Sequence, residues 1–441
     1  MRVVVVGGGL AGLAAALELA RAGDDVVLLE ARPTLGGAVQ TLPEREGDPS
    51  PPPDNGQHVA LACCGEYVRF LDEIGQAGNL RRFPLALPVI GEGGRVAVLG
   101  GGALALLRYR HLSLRDRLDV ALAVRRLGRL RAEEHDGETF AHLLGRLGQS
   151  QAAIDRFWDV FMRPALNLRS AEASAALGVY TVQRALLSGR DASDLLVPTV
   201  PLGRMHGEAA GEALERAGAE VRTNVRVSVL DDDAAVLADG ERVAADAFVV
   251  AVPPWESARL LGEQQPELDD SPIVSVHLLF DRRLLEPPLA ALLASPAHWV
   301  FDRGRLTGHE PARGQYLTVV SSGVPELLDI RGRELVALVA EAVTERLGNA
   351  ELLWSRVTRE PAATFAGRPG TAALRPGPET RRANIARAGA WTDTGWPATM
   401  ESAVRSGRAA VATLRGHPVP PPAFELNGET RARVARNVRK A

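Results

Sequence analysis

The first thirty residues carry a hydrophobic pattern that is typical of one strand–helix–strand unit. Residues 3–6 form a continuous run of β-branched side chains, as expected for a strand buried on both faces of a parallel sheet. Residues 7–12 are rich in glycine and predict a turn, residues 13–22 have helical composition, and residues 26–30 predict a second buried strand. The chain is therefore expected to begin with a parallel βαβ unit.

Farther along, the pattern alternates between helical and strand-like blocks. Helical patterns dominate from about residue 81 to residue 190, with a predicted hairpin around residues 92–94. Strand patterns return later, at residues 220–230, 234–237, 246–252, 273–280, 299–302 and 317–321. Helices are predicted at residues 333–347 and 398–414. No run reaches the ~18 uninterrupted apolar residues that a spanning helix requires, so an integral membrane protein is not expected.

Composition narrows the function classes by exclusion. The 51 basic and 54 acidic residues give a formal charge of −3, which provides no general attraction to nucleic acid. Lys440 is the only lysine, so neither a Walker-type phosphate loop nor a Schiff-base enzyme can be built. The adjacent Cys63 and Cys64 cannot form a disulfide framework, and the nine histidines lack the spacing of a zinc site. We expect a cytoplasmic protein with no bound metal and no nucleic-acid partner.

The glycine turn gives the first chemical signal. Gly7, Gly9 and Gly12 have the GxGxxG spacing directly after a buried strand and before a helix. In that setting the first glycine allows a tight turn, the second lets a pyrophosphate approach the backbone, and the third allows close helix–strand packing. Glu30 ends the second strand, where a carboxylate accepts hydrogen bonds from a ribose diol. The pattern predicts an adenine dinucleotide without a 2′-phosphate, and it leaves NAD and FAD open.

After Glu30 the chain has an E-x-R-x-x-x-G-G extension that ends at Gly36-Gly37, and here it resembles the FAD-dependent amine oxidoreductase superfamily. Residues 245–254 resemble the second dinucleotide-domain strand of that superfamily, and residues 389–407 resemble its C-terminal flavin motif. The resemblance implies FAD, bound by Gly7, Gly9, Leu10, Ala11, Gly12, Glu30, Ala31, Arg32, Gly36, Gly37, Val227, Ala251, Pro253, Gly389, Ala390, Pro397, Ala398, Thr399 and Met400.

Two departures from the superfamily pattern bear on function. Ala390 stands where members usually place an acidic residue that binds the ribityl chain, which costs the cofactor one hydrogen bond worth ~1 kcal/mol unless Asp393 replaces it. Amine oxidases typically keep a lysine near flavin N5 and a tyrosine just before the last helix, whereas Thr399 occupies the latter position here. An amine substrate is therefore not expected.

Three further blocks, at residues 54–59, 158–167 and 193–198, resemble the squalene-associated FAD-dependent desaturases, which are understood as hydroxysqualene dehydroxylases. The resemblance implies reductive dehydroxylation of hydroxysqualene to squalene in bacterial squalene and hopanoid biosynthesis, with reduced FAD supplying hydride. Carotenoid or phytoene-type desaturases share the scaffold and transfer hydride in the opposite direction, so they are the alternative. A catalytically silent flavoprotein scaffold is an alternative of another class, prompted by Ala390.

The reaction itself suggests which residues matter. A long uncharged isoprenoid lipid offers an enzyme only hydrophobic burial, so we expect an apolar tunnel lined by the helical blocks between residues 85 and 187. The departing hydroxyl needs a proton donor. Asp54 is a candidate donor or cation-stabilising anion, and His58 is a candidate partner or donor; an Asx turn with a packing histidine is the alternative. Asn167 is a candidate for holding the hydroxyl or polarising the flavin, or else it has a helix-terminal role.

The expected fold class is α/β, with a discontinuous Rossmann-like FAD-binding domain and an inserted α+β substrate-binding domain. The segments predicted for the first are 1–80, 200–260 and 365–416, and those for the second are 81–199 and 261–364. Residues 417–441 are predicted to be a flexible tail.

Residues 113–130 have an amphipathic pattern in which arginines alternate with leucines. This segment either docks on anionic lipid or is a solvated helix face. The sequence therefore leaves two further partners open. One is the inner face of the cell membrane, in peripheral contact, and the other is the set of squalene-pathway enzymes.

Overall fold

The computed structural model describes residues 1–100, 102–189 and 191–419, so most of the predicted tail, residues 420–441, lies outside the described part. Strands β1 to β18 are, in chain order, Arg2–Val6, Asp25–Leu29, Ala60–Leu61, Leu80–Phe83, Ala86–Ile90, Val96–Gly100, Leu195–Pro198, Glu220–Arg222, Val227–Leu230, Ala234–Leu237, Arg242–Ala244, Ala247–Val250, Asp270–Phe280, Leu289–Leu292, Trp299–Asp302, Gln315–Ser322, Leu352–Phe365 and Ile385–Arg387. Helices α1 to α13 are Leu10–Arg21, Gly65–Glu73, Ala103–Arg108, Leu114–Leu127, Phe140–Arg146, Gln151–Ala153, Asp159–Leu166, Ala175–Val182, Ala209–Arg216, Pro254–Leu261, Arg303–Thr307, Gly332–Leu347 and Met400–Leu414.

A five-stranded parallel sheet in the order β18-β12-β1-β2-β8 holds the N-terminal unit. In β1, Val4 lies opposite Val27 of β2 and Phe248 of β12. All three side chains are buried, which is why the sequence of these strands is a continuous apolar run. Helices α1 and α13 pack against each other and contact this sheet. The predicted α/β, Rossmann-like fold class is confirmed.

A second sheet of seven strands has the order β17-β13-β16-β15-β14-β5-β6, antiparallel except where β14 meets β5. Strand β13 alternates between two environments. Val274 and Val276 point into an apolar core shared with α12, whereas Ser275 and His277 lie on the opposite face, where Thr358 of β17 hydrogen-bonds the Asn55 carbonyl at 2.8 Å. The polar face of this sheet therefore meets the loop that carries residues 54–58.

The hairpin predicted around residues 92–94 is present as β5 and β6. The single strand predicted over residues 220–230 is wrong, because Asn224 has a left-handed backbone (φ 57°) that ends β8 and sends β9 into a separate sheet. Among the described residues, no helix combines the length and apolarity needed to cross a bilayer.

All five strands of the parallel sheet fall inside the segments predicted for FAD binding. The predicted boundary at residue 80 falls within β4, and the one at residue 365 coincides with the end of β17. The division into two domains stays a prediction.

Candidate functional site

In the glycine turn between β1 and α1, the fold requires glycine at some positions and not at others. Gly7 has φ +104°, and a Cβ there would lie 2.3 Å from the Ala251 carbonyl oxygen; a Cβ at Gly12 would lie 1.9 Å from the Gly7 oxygen. The fold itself therefore requires both. A Cβ at Gly9 would meet only Gly37 Cα, at an ordinary 3.7 Å. The protein alone does not need glycine at position 9, so this position leaves room for a ligand.

The N-terminus of α1 is built to receive an anion. Helix α1 begins at Leu10, and no side-chain cap and no acidic residue in its first turn satisfies the N–H groups there. Leu10 and Ala11 are only 6% exposed. A buried helix end without a capping group is a binding site for phosphate, because the N–H groups and the helix dipole favour negative charge. This end fits the pyrophosphate of FAD.

Glu30 lies beside the glycine turn at the end of β2. One carboxylate oxygen accepts the Gly8 N–H at 2.6 Å, and the other accepts the Arg32 N–H at 2.8 Å. Each oxygen keeps a further lone pair that could accept from a ribose hydroxyl. Two hydrogen bonds therefore fix the position of the carboxylate that is predicted to contact the ribose. Ala31 and Arg32 are exposed.

The Gly36-Gly37 pair lies directly against the glycine turn. The Gly36 N–H donates to the Gly8 carbonyl at 2.8 Å, and a Cβ at Gly37 would be 2.8 Å from Gly9 Cα. Both glycines have positive φ. Any side chain at Gly37 would push the two backbone segments apart, so glycine here lets them lie in contact.

The second predicted strand of the cofactor site lies next to β1. The Ala251 N–H donates to the Val6 carbonyl at 2.8 Å, and Pro253 is the N-cap of α10. Val227, a predicted cofactor contact, is buried in the apolar core. The Val225 N–H donates to the Glu30 carbonyl at 2.9 Å, so the segment just before Val227 lies beside Glu30. A cofactor contact from Val227 stays a prediction.

The C-terminal flavin motif forms a loop that leads into α13. The Gly389 N–H donates to Ser406 Oγ at 2.8 Å, and the Ala390 carbonyl accepts from Ser402 Oγ at 3.2 Å. Pro397 and Ala398 follow, and Thr399 is the N-cap of α13, whose side chain accepts the Ser402 N–H at 3.2 Å. One side-chain cap leaves the first N–H groups of the helix, at Met400 and the next residue, for a ligand. That position fits the pyrimidine edge of a flavin, where reduced flavin carries negative charge.

Arg375 holds this loop from inside, a role that sequence reasoning missed. Its guanidinium is buried and donates to four backbone carbonyls of the loop, those of Ala390, Trp391, Thr392 and Trp396. It also lies 4.7 Å from the centroid of the Phe365 ring. Burial lowers the pKa of Arg375 to about 10, and Asp393 and Asp136 oppose that shift, so the group stays charged at neutral pH.

Asp54 is part of a buried ion pair. One of its oxygens accepts from Thr41 Oγ1 at 2.7 Å and from the Leu202 N–H at 3.0 Å, and the other accepts from Arg303 at 2.6 Å. The Asp54 and Arg303 side chains are each 2% exposed. Arg303 also donates to the Pro52 carbonyl at 2.7 Å. These contacts already occupy both oxygens of the Asp54 carboxylate.

His58 lies close by and is half-buried. Its Nδ1 is 3.4 Å from the Gly56 carbonyl, which can only accept, so Nδ1 carries the proton and Nε2 remains for exchange. Burial lowers the pKa of His58, while the Gly56 carbonyl and the charge of Asp54 act in the opposite direction. The imidazole is therefore mostly neutral at neutral pH.

Asn167 ends α7 with a left-handed backbone, at φ 52°. Its side-chain amide donates to the Ser271 carbonyl at 2.9 Å and to Thr364 Oγ1 at 3.0 Å, and its oxygen accepts the Gly323 N–H at 2.6 Å. These contacts tie the end of α7 to β13, to β17 and to the residue that follows β16, and they favour the helix-terminal alternative. A catalytic role for Asn167 stays an untested prediction.

The comparisons with known proteins show the family of the chain. The family model for flavin containing amine oxidoreductases matches residues 10–415, so the chain belongs to that family. Two relatives, from Sinorhizobium fredii and Rhodopseudomonas palustris, are each 31% identical over 425 and 423 residues, which cover 92% of this chain and 97% of each relative. Both are hydroxysqualene dehydroxylases, and the chain belongs with them within the wider family.

More distant likenesses bear on scaffold and fold. The zeta-carotene desaturase of a Synechocystis species is 26% identical over 479 residues, covering 94% of this chain and 97% of that protein. The structure of putrescine oxidase bound to putrescine has a TM-score of 0.70 at 17% identity, covering 95% of this chain and all of that one. Cyclohexylamine oxidase from Brevibacterium oxydans has a TM-score of 0.68 at 18% identity, covering 94% and 98%. At such identities the solved structures show the fold alone.

These findings confirm four predictions from the sequence: the superfamily, the hydroxysqualene dehydroxylase resemblance, the FAD cofactor and the oxidoreductase class. The protein is an FAD-dependent oxidoreductase. The individual site residues stay predictions. Among the described residues, no group of three or more acidic, histidine or cysteine side chains is placed to hold a metal ion.

Proposed function

We propose that this protein removes the allylic hydroxyl of hydroxysqualene reductively and releases squalene. The observation that carries the proposal is its likeness, over nearly the whole chain, to two hydroxysqualene dehydroxylases. The uncapped end of α1 and the loop before α13 support FAD as the cofactor. Bound and reduced, FAD supplies the hydride.

The reaction breaks one C–O bond and forms one C–H bond. The hydroxyl oxygen takes up a proton and departs as water with the electron pair of the C–O bond. The allylic cation left on the lipid then accepts hydride. The protein must therefore provide a proton at the oxygen, negative charge near the cation, and a site from which bulk water is excluded.

His58 is the proposed source of the proton. Because its Nδ1–H is directed to the Gly56 carbonyl, Nε2 is the atom that would take up a proton and pass it to the substrate hydroxyl. Asp54 is proposed as the cation-stabilising anion and not as the donor, since Thr41, Leu202 and Arg303 already hydrogen-bond its oxygens.

The proposal extends to where the protein works. Its lipid substrate dissolves in a bilayer, so we place the protein at the inner face of the cell membrane, in peripheral contact with lipid. Handover of the lipid to other enzymes that make or use squalene is consistent with this placement and stays a prediction.

An anaerobic assay tests the proposed reaction against its alternatives. The purified holoenzyme is photoreduced and mixed with detergent-dispersed hydroxysqualene, and the flavin absorption and the lipid products are followed together. We expect reoxidation of the flavin with formation of squalene. The weaker likeness to zeta-carotene desaturase is the reason to test a second candidate, a desaturase. A desaturase would instead show bleaching of its oxidised flavin by a carotenoid precursor. No redox change with either lipid would support a silent flavoprotein.

A further inference from the structure

Exposed large hydrophobic side chains are concentrated in one short part of the chain. Of the twelve in the described residues, seven lie between residues 96 and 122. We call these seven the leucine face; they are Val96, Val98, Leu104, Leu107, Leu114, Leu118 and Leu122, exposed by 46% to 68%. They belong to β6, the edge strand of the seven-stranded sheet, and to α3 and α4, and α3 contacts both β6 and α4. The elements that carry the leucine face are therefore neighbours in the fold, joined through α3.

Helix α4 has apolar side chains on two opposite sides. Val120, Ala123 and Leu127 are buried against the rest of the protein. Leu114, Leu118 and Leu122 follow one another at intervals of four residues and are exposed by 68%, 58% and 50%. A surface helix of a globular protein needs one apolar stripe, on the side of the core. The second stripe indicates a partner outside the described residues.

The charge around the leucine face is strongly positive. Residues 96–130 contain seven arginines and two aspartates, so this stretch carries 7 − 2 = +5, against −3 for the whole chain. Both aspartates are engaged locally, Asp116 with the hydroxyls of Ser113 and Ser150, and Asp119 with Arg115 at 3.8 Å. Six of the arginines are exposed: Arg108, Arg110, Arg115, Arg125, Arg126 and Arg129. Leucines among exposed arginines fit the surface of an anionic bilayer, whose acyl chains are apolar and whose headgroups are negatively charged.

We propose that the leucine face docks on a bilayer of anionic phospholipid, with its leucines at the acyl boundary and its arginines on the headgroups. The inference deepens the proposed function, on which it rests for the need to collect a lipid substrate. A second copy of the chain is a poorer occupant, because a two-fold contact would bring two faces of charge +5 together. The bilayer satisfies both the apolar and the basic side chains.

Vesicle flotation of the full-length holoenzyme tests the docking. The probes are vesicles of phosphatidylcholine alone and vesicles that also contain phosphatidylglycerol. We expect binding to the anionic vesicles that weakens with salt, and a loss of about tenfold or more in the partition coefficient for Leu114→Ser/Leu118→Ser. Arg125→Gln/Arg126→Gln should reduce binding to the anionic vesicles only. The control is Leu353→Ser, the same leucine-to-serine change at a 46% exposed position outside the leucine face.

Each outcome decides the proposal. Wild-type protein that fails to float with anionic vesicles overturns it, and so does undiminished binding by Leu114→Ser/Leu118→Ser. A wild-type dimer that Leu118→Glu converts to a monomer, without vesicle binding, would assign the leucine face to self-association instead. Turnover of detergent-dispersed hydroxysqualene is measured on the same samples. Its persistence in a protein that does not bind vesicles would reject the docking and leave the proposed reaction standing.

Discussion

At the scale of single residues, His58 links burial to the proposed chemistry. Its neighbours fix the tautomer through the Gly56 carbonyl, and burial shifts its pKa downward from 6.5. A proton donor with a lowered pKa is protonated to a smaller extent at neutral pH than a free imidazole. The group that the reaction requires is therefore present as a minor population that grows as the pH falls.

The sign of this shift predicts a pH dependence. We expect the rate of flavin reoxidation by hydroxysqualene to rise as the pH falls toward and below 6.5, the ordinary pKa of histidine. Anaerobic stopped-flow absorption measures this rate across pH. The rise should disappear in His58→Gln, with flavin still bound, and persist in His142→Gln, a variant of an exposed histidine. An unchanged profile in His58→Gln would assign the proton to another group.

At the scale of elements, the loop between β18 and α13 depends on Arg375. Four carbonyls of the loop converge on this one guanidinium, and the Phe365 ring covers it. The loop follows Gly389 and precedes the Thr399 cap, so its shape sets where α13 begins. Because position 390 is alanine and not an acidic residue, this loop would contact FAD mainly through its backbone. We therefore expect FAD affinity to depend on Arg375 although it is not a predicted contact.

Replacement of Arg375 tests this dependence. In Arg375→Met several buried carbonyls lose their charged donor, and each such hydrogen bond is worth about 1.5–3 kcal/mol. Because the loop then loses its internal support, we expect FAD affinity to fall by at least about tenfold. Titration of apoprotein with FAD measures the change, and far-ultraviolet circular dichroism checks that the fold persists. Arg382→Met is the matched control, since Arg382 donates to the Leu230 and Leu260 carbonyls outside this loop. Equal affinities for FAD in the two variants would contradict the role of Arg375.

At the scale of the whole molecule, the Asp54–Arg303 ion pair joins parts of the chain that are 249 residues apart. It fixes the loop before β3 to the short helix α11, which directly follows β15 of the seven-stranded sheet. Removing one partner of a buried pair leaves an uncompensated charge. The pair is therefore expected to hold the loop that carries residues 54–58 against the part of the chain that contains α11.

A double-mutant cycle measures this contribution. We expect Asp54→Asn to lower the free energy of unfolding by about 3 kcal/mol, because Arg303 then stays buried without its counter-charge. Urea unfolding of the apoprotein gives the value. Adding Arg303→Met to Asp54→Asn should recover part of the loss. Additive losses in the double variant would show that the two side chains do not act as a pair.

The scale of an interaction also explains what could be predicted from the sequence. The βαβ unit, the glycine turn and Glu30 were predictable because each is encoded within thirty consecutive residues. Arg303 and Arg375 were not, since their partners are set by the tertiary fold and neither residue has a distinctive local pattern. The strand predicted across Asn224 failed because the hydrophobic pattern does not reveal a left-handed backbone at one residue.

We expect FAD to lie across the N-terminus of α1, and substitution of Gly9 tests this placement. A Cβ at Gly9 fits the protein without a clash, whereas one at Gly12 would lie 1.9 Å from a backbone oxygen. We therefore predict that purified wild-type protein carries FAD in its visible spectrum, and that Gly9→Ala retains the apoprotein melting temperature but loses most of its bound flavin. A colourless wild-type protein that takes up no added FAD, or a Gly9→Ala variant that binds FAD as tightly as wild type, would contradict the claim.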